Sequence, residues 1–228
     1  MAIVVLNLNG KAKTLRCLSS VAELDYSPYE VVLVDNGSTD GSVEAIAQVF
    51  PHIHVVRNPC NLGVAGGRNR GIAYANKHFP YGYLLFLDND AWLERSALRE
   101  LVRVMQSDPL VGLASSKIYQ AGAPMVLASA GGHRINWYTG TIRTVGAGEV
   151  DRGQYDGNRP ITCSGSSFLV RRAVFERIGG LDEAFNPYGW EDLDFSLRAR
   201  AAGFGIRFVP TAITHHEGGK AGRGRALP

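Results

Sequence analysis

The sequence predicts an α/β fold: a mostly parallel central sheet flanked by helices, with a smaller subregion in its second half. Three observations carry that expectation. Short apolar runs end repeatedly in polar loops that lead into amphipathic helices, the alternation of a parallel sheet with helices on its faces. The run Leu84-Leu85-Phe86-Leu87 is too short to cross a membrane and stops on Asp88-Asn89-Asp90, as a buried central strand does at its C-terminal end. No internal repeat or low-complexity linker divides the 228 residues, so one domain is expected over 1–228.

Ile3 to Leu8 is rich in strand formers, and Asn9-Gly10-Lys11 turns it into a helix whose positions Leu15, Leu18, Val21 and Ala22 keep helical spacing. Val31-Val32-Leu33-Val34 is a second strand ending at Asp35-Asn36-Gly37-Ser38-Thr39-Asp40-Gly41, and Val43, Ile46, Ala47 and Phe50 mark the helix after it. His54-Val55-Val56 reads as a short third strand, followed by a loop and helix start from Asn58 to Gly71 and a helix carrying Ile72, Ala73, Ala75 and Phe79. Beyond the central strand, Leu98, Leu101, Val102 and Met105 make an amphipathic helix that Asp108-Pro109 stops, and Val111 to Ile118 is another strand. From Gln120 to Arg159 regularity fades into Gly-rich sequence, too long to be structureless in a compact domain, so short strands and a mobile loop near the site are expected. Order returns with Cys163 to Val170 and a helix from about Arg172 to Ile178. A further helix opens at Trp190-Glu191-Asp192-Leu193-Asp194, and a segment started by Pro210 leads to His215-His216. Residues 1–118 thus read as a nucleotide-type half and 119–228 as an acceptor-type half.

Composition narrows the function. A chain 45% hydrophobic and 20% charged is an ordinary globular one, and a formal charge of +3 with no basic face interleaved with aromatics speaks against nucleic acid. Cys17, Cys60 and Cys163 are odd in number and lack CxxC spacing, which disfavours a disulfide framework or a structural zinc and suits a reducing compartment. Met1-Ala2-Ile3-Val4-Val5-Leu6 lacks a basic n-region and reads as a strand rather than a signal peptide. The basic tail with Lys220, Arg223 and Arg225 reads as a solvated terminus or as a contact for an anionic surface, and a Gly-rich end at Pro228 suggests a longer natural chain.

The C-terminal ends of strands are the ligand side of open α/β sheets, so Asp88 and Asp90 sit where two hard oxygen ligands suit Mg²⁺ or Mn²⁺ on a diphosphate. The same spacing also suits an Asx-rich turn. Asp35 ends the second strand on the same edge, where a carboxylate can accept the imide N–H of a uracil or thymine; Asn36, Ser38 and Asp40 also suit capping of the next helix. Asn61 to Gly71, with Gly63, Gly66 and Gly67, brings backbone close to a ligand and sets Arg68 beside it, or serves a tight turn and helix packing. It is neither GxxxxGK[ST] nor GxGxxG after the first strand, which weakens NTPase and dinucleotide readings. Glu191 and Asp192 open a helix beside Trp190, placed either for general base chemistry or as helix-terminal acids. One imidazole of His215-His216 would complete a metal shell and favour Mn²⁺.

In this order the motifs resemble the family 2 glycosyltransferases of the GT-A fold, a Rossmann-like architecture, especially the bacterial rhamnosyltransferase-like branch. The matching pieces are Leu8-Asn9-Gly10, Val34 to Ser42, Asn61-Leu62-Gly63 with Gly66-Gly67-Arg68-Asn69, Leu87 to Asp90, Gly179 to Glu183, Tyr188 to Asp194 and His216-Glu217-Gly218-Gly219. The resemblance implies inverting transfer of a sugar from a nucleoside diphosphate sugar, UDP- or dTDP-linked, to a glycan or lipid-linked acceptor in polysaccharide or cell-wall assembly. It places Asn9, Asp35, Asn36, Arg68, Asp88, Asn89 and Asp90 on the donor, with Mn²⁺ or Mg²⁺ at Asp90, Asp88 and His216 or His215. Asp192 becomes the base, with Glu191 beside it and Trp190 at the acceptor. Arg68 and the metal would stabilise the leaving diphosphate. The resemblance also implies C-terminal helices beyond this sequence, and it is compatible with a cytoplasmic location and peripheral association at the inner face of a membrane. A sugar nucleotidyltransferase and a non-catalytic nucleotide-sugar-binding module are the alternatives.

Overall fold

The computed structural model describes residues 1–123, 125–163, 165–186 and 189–218. Tyr188, Gly219 and the basic tail with Lys220, Arg223 and Arg225 lie outside them. Strand β1 (Ala2–Asn7) leads through helix α1 (Lys11–Ala22) to β2 (Glu30–Asp35), and β2 through α2 (Ser42–Val49) to β3 (His54–Arg57). Helix α3 (Gly63–His78) returns the chain to β4 (Tyr83–Asp88), and these four strands lie parallel in the order β3-β2-β1-β4. Next come β5 (Ala91–Leu93), α4 (Ala97–Ser107), β6 (Val111–Gln120), β7 (Leu127–Ala130), β8 (His133–Asn136) and β9 (Thr141–Thr144). The chain closes with β10 (Ser167–Arg171), α5 (Arg172–Ile178), α6 (Glu191–Ala201) and β11 (Gly205–His216). Across the sheet β10 runs antiparallel between β4 and β6, β11 lies parallel to β6, and β5 pairs antiparallel with the end of β11.

Residue alternation explains the unbroken apolar runs, because both faces of the sheet are covered. Ile3, Val5, Leu33, Leu85 and Leu87 meet α1, α2 and α4 through Leu18, Ile46, Leu98 and Leu101. Val4, Val32, Leu84 and Phe86 point the other way, to Ala65, Ile72 and Ala75 of α3 and Phe195 of α6. A Cβ at Gly67 would lie 2.4 Å from Leu6 Cδ1, so this glycine lets α3 approach β1 closely; packing, not ligand contact, is what requires it.

The sequence-based elements are found with informative shifts. The short β5 was not expected, and its pairing partner lies more than a hundred residues away in β11. Pro210 does not start a segment but sits inside β11, at the register shift between Val209 and Ile213, where a residue without an N–H costs the ladder nothing. The 120–159 stretch holds the expected short strands: β7 adds to β6, and β8 with β9 forms a separate two-stranded sheet.

Candidate active site

Pairing of β5 with β11 builds the centre of the site. The register His216↔Ala91 draws the end of β11 to the turn after β4, and Glu217 donates its N–H to the Asp90 carbonyl at 3.0 Å. His216 Nε2 then lies 3.0 Å from Asp90 Oδ1 and 3.9 Å from Asp88 Oδ2. One ligand atom from each of Asp88, Asp90 and His216 falls within 4.8 Å of the others, the one such group among the described residues. Burial alone would lower the His216 pKa, but its hydrogen bond to Asp90 and the charges of Asp88 and Asp90 raise it overall. The His216 hydrogen bond in turn holds Asp90 below the usual carboxylate range. His215, one residue earlier on the strand, faces the opposite side: it stacks on Trp92 and meets Glu94 Oε1 at 3.2 Å. The two-histidine expectation therefore narrows to His216.

Arg68 lies deeper than its place among glycines suggests. Its side chain is only 3% exposed and lies beneath the Asp88 and Glu191 carboxylates. Nη2 donates to Asp88 Oδ1 at 2.8 Å and to the Gly165 carbonyl at 2.6 Å, while Nη1 reaches Glu191 Oε1 at 3.4 Å. The guanidinium is thus a positioning group that ties the end of β4 to the start of α6. Burial pushes both Asp88 and Glu191 up, with Arg68 pulling each back.

A cavity of about 450 Å³ opens above these groups, lined by Leu6, Leu8, Asn36, Asn61, Val64, Asp88, Asn89, Asp90 and Glu191 among others. Its loops are fixed from below by Asn7, which donates to Asp35 Oδ1 (2.8 Å), Ser38 Oγ (3.0 Å) and Ser42 Oγ (2.8 Å) and accepts from Thr14 Oγ1 (2.7 Å). Asp35 is buried in that network, also accepting from the Ser38 N–H at 3.0 Å. It shapes the loop and is not on the cavity wall. Asn9 accepts from the Thr39 N–H, and Asp40 from the Ser42 N–H at the start of α2. Asn36 does line the cavity and bridges to the Gly63 carbonyl at 2.9 Å. Asn89 donates to Thr14 Oγ1 at 3.0 Å, so close to the first loop that a Cβ at Gly10 would lie 2.3 Å from its Nδ2.

On the far side of Gly165 the start of α6 makes a second group. Trp190 caps the helix with φ 78°, a left-handed backbone that costs a bulky residue about 1–2 kcal/mol and is typical of functional sites. Its ring meets His133 edge-on, centroids 5.4 Å apart, and His133 Nε2 lies 3.7 Å from Asp192 Oδ2. Glu191 lines the cavity; Asp192 does not, and sits between Gly165 and His133.

Residues 2–179 match the family described as glycosyl transferase family 2. The chain belongs to that family. Residues 154–218 also match a domain described as the N-terminal domain of galactosyltransferase. An N-acetylglucosaminyl-diphospho-decaprenol L-rhamnosyltransferase of Mycobacterium tuberculosis is 29% identical over 91% of this chain and 73% of its own length. A low-salt glycan biosynthesis hexosyltransferase of Haloferax volcanii is 26% identical over 90% of this chain and 63% of its own. Among solved structures, a mannosyltransferase from Pyrobaculum calidifontis in complex with GDP-Man and Mn²⁺ superposes with TM-score 0.68 at 20% identity, covering 97% of this chain. GalNAc-T7 with UDP, GalNAc and Mn²⁺ does so with TM-score 0.74 at 18% identity over 94% of it. This chain spans 57% and 43% of those two proteins, which share its fold.

Two residues of this family 2 glycosyltransferase escaped sequence reasoning. Asn7 was hidden as the polar end of an apolar strand, though an Asn closing such a strand beside a Gly turn was a usable signal. His133 lies in the stretch without motifs, and nothing local announces its approach to Asp192. No helix among the described residues is long and apolar enough to cross a membrane.

Proposed function

We propose that this family 2 glycosyltransferase is an inverting enzyme that moves a sugar from a UDP- or dTDP-linked nucleoside diphosphate sugar to a glycan or lipid-linked acceptor. The convergence of Asp88, Asp90 and His216 at the rim of the cavity is the observation that carries this reading. Two carboxylates and an imidazole are a fitting donor set for Mn²⁺, or for Mg²⁺ with more of its water retained. Bound there, the ion would supply positive charge against the leaving diphosphate.

The remaining chemistry belongs to the chain's own side chains. Arg68 holds Asp88 and Glu191 in fixed positions. Asn36, Asn61 and Val64 form the wall for the nucleoside. Asp192 lies behind the cavity-lining Glu191, next to Trp190 and His133, so it takes the proton of an acceptor hydroxyl that enters from the Trp190 side as that oxygen attacks the anomeric carbon. The bond from this carbon to the diphosphate oxygen breaks, its electron pair leaving with the diphosphate, and a single displacement inverts the centre. Trp190 presents a half-exposed ring to the acceptor, and His133, 3.7 Å from the Asp192 carboxylate, stands where it receives a proton or steadies the charge there. The name of the mycobacterial relative supports a lipid-linked acceptor.

Calorimetry with UDP- and dTDP-sugars tests the reading. Donor binding should tighten with Mn²⁺ and lose that dependence in Asp90→Ala, while Asp192→Asn should bind donor and fail to transfer. Full transfer by folded Asp90→Ala and Asp192→Asn across a broad donor panel would overturn it. Wild-type protein that binds donor and metal without transfer or hydrolysis would instead indicate a binding module.

A further inference from the structure

We propose that the β8–β9 hairpin is the surface by which this protein rests on an anionic lipid bilayer, with Trp137 and Tyr138 at its tip entering the headgroup layer. The hairpin pairs with no other strand of the described residues. Its tip is built rather than frayed: Asn136 Oδ1 accepts the N–H groups of Tyr138 (3.0 Å) and Thr139 (3.2 Å), and the Asn136 carbonyl accepts that of Gly140 (2.8 Å). This ordered turn holds Trp137 70% exposed and Tyr138 fully exposed. Tryptophan and tyrosine combine an apolar ring with a polar handle, the composition that settles at a membrane–water interface. Among the described residues the exposed large aromatics are Trp137, Tyr138 and Trp190, all on the acceptor side of the molecule.

Charge points to the same occupant. Arg134 and Arg143 are direct cross-strand partners on the exposed face of the hairpin, and neither makes an ion pair among the described residues. Like charges in that register repel in water, an arrangement that becomes favourable against anionic headgroups. The root of the hairpin is His133, beside Asp192 and Trp190. Four strand residues separate that root from the tip, about 13 Å. A tip seated among headgroups would therefore hold Asp192 at the height of the first sugars of a lipid-linked acceptor. The purpose of the contact rests on the acceptor reading above; the contact itself does not.

Sedimentation with vesicles tests it. The protein should pellet with vesicles of equal parts phosphatidylcholine and phosphatidylglycerol, less so at high salt, and stay in solution with phosphatidylcholine alone. The Trp137→Ser/Tyr138→Ser variant should bind about tenfold more weakly. Arg134→Gln/Arg143→Gln should lose about fivefold per arginine. Both should keep the melting temperature and the Mn²⁺-dependent UDP-sugar binding of the wild type. Three results would overturn the proposal: wild-type protein that ignores anionic vesicles, variants that pellet as well as wild type, or a wild-type dimer that the aromatic variant dissolves with no vesicle binding. Vesicle binding requires neither donor nor transfer, so its failure and a failure of the glycosyltransferase chemistry are read separately.

Discussion

Asp88 stands at the end of a strand flanked by β1 and β10 and covered on both faces, whereas His133 stands at the root of a hairpin paired with nothing else described. The proposed donor wall inherits its order from the main hydrophobic core. The proposed acceptor wall is attached by the pairing of β7 with β6, by a small apolar cluster around Leu127, Ala130, Val145 and Phe208 and by polar pins. Lys117 Nζ reaches Asp151 Oδ2 at 2.8 Å and Asp156 Oδ1 at 2.7 Å, and Asn158 Nδ2 donates to the Ala130 carbonyl at 2.7 Å. A region added at the margin of the sheet, outside the two main apolar clusters, can be rebuilt without disturbing the core, a physical route to varied acceptors on one donor site.

The strongest way to break this contrast is on the donor wall. Asp90→Ala should lower Mn²⁺-stimulated transfer about a hundredfold or more, with little change in melting temperature, since Asp90 lies in a turn outside the core. Arg68→Met should act in the opposite manner. It leaves the buried Glu191 carboxylate without its cation and the half-buried Asp88 with His216 alone, at a cost of about 3–5 kcal/mol, and scanning calorimetry should show a large loss of global stability. A folded Arg68→Met with wild-type stability would mean that the guanidinium does not join β4 to α6. His133→Ala should be milder, about a tenfold fall in kcat with donor affinity retained, measured by transfer kinetics and donor titration. A change confined to the donor Kd would place His133 on the wrong wall.

Legibility in the sequence follows the same division. Strands β1, β2 and β4 and helices α1, α2 and α4 could be read because burial on two faces imposes continuous apolar runs and helical burial imposes a period. Asp88 and Asp90 were visible as the abrupt end of such a run. The burial of Arg68 was not readable, because a cation among glycines looks like an exposed ligand group. The groups that engage it, Gly165 and Glu191, lie 97 and 123 residues further on. Asp35 is a related case: its strand-end position was evident, but not the Asn7 side chain that holds it. The hairpin had four-residue strands of mixed polarity, and no periodicity of that length is decisive.

Acid should separate the two walls by the smallest of these effects. Burial alone would raise the Asp151 pKa, but hydrogen bonds from Lys117, Tyr119 and the Gly153 N–H bring it down to about 2. A carboxyl depressed on folding stabilises the native state above its unfolded pKa, about 3.9, and that stabilisation disappears as pH falls toward the folded value. Glu191 has the opposite sign: burial raises its pKa, so the folded protein takes up its proton more readily and acidification relieves the donor wall. Between about pH 4 and pH 2 the acceptor wall should therefore lose about 1 kcal/mol of local stability, the figure expected once solvent screening is allowed for. Hydrogen exchange, corrected for intrinsic rates, should show β7 losing protection over that interval before β1 and β4. Lys117→Met should give the same loss of protection in β7 already at neutral pH. Uniform loss across all strands would mean that the two walls unfold as one unit and that the polar pins are not what distinguishes them.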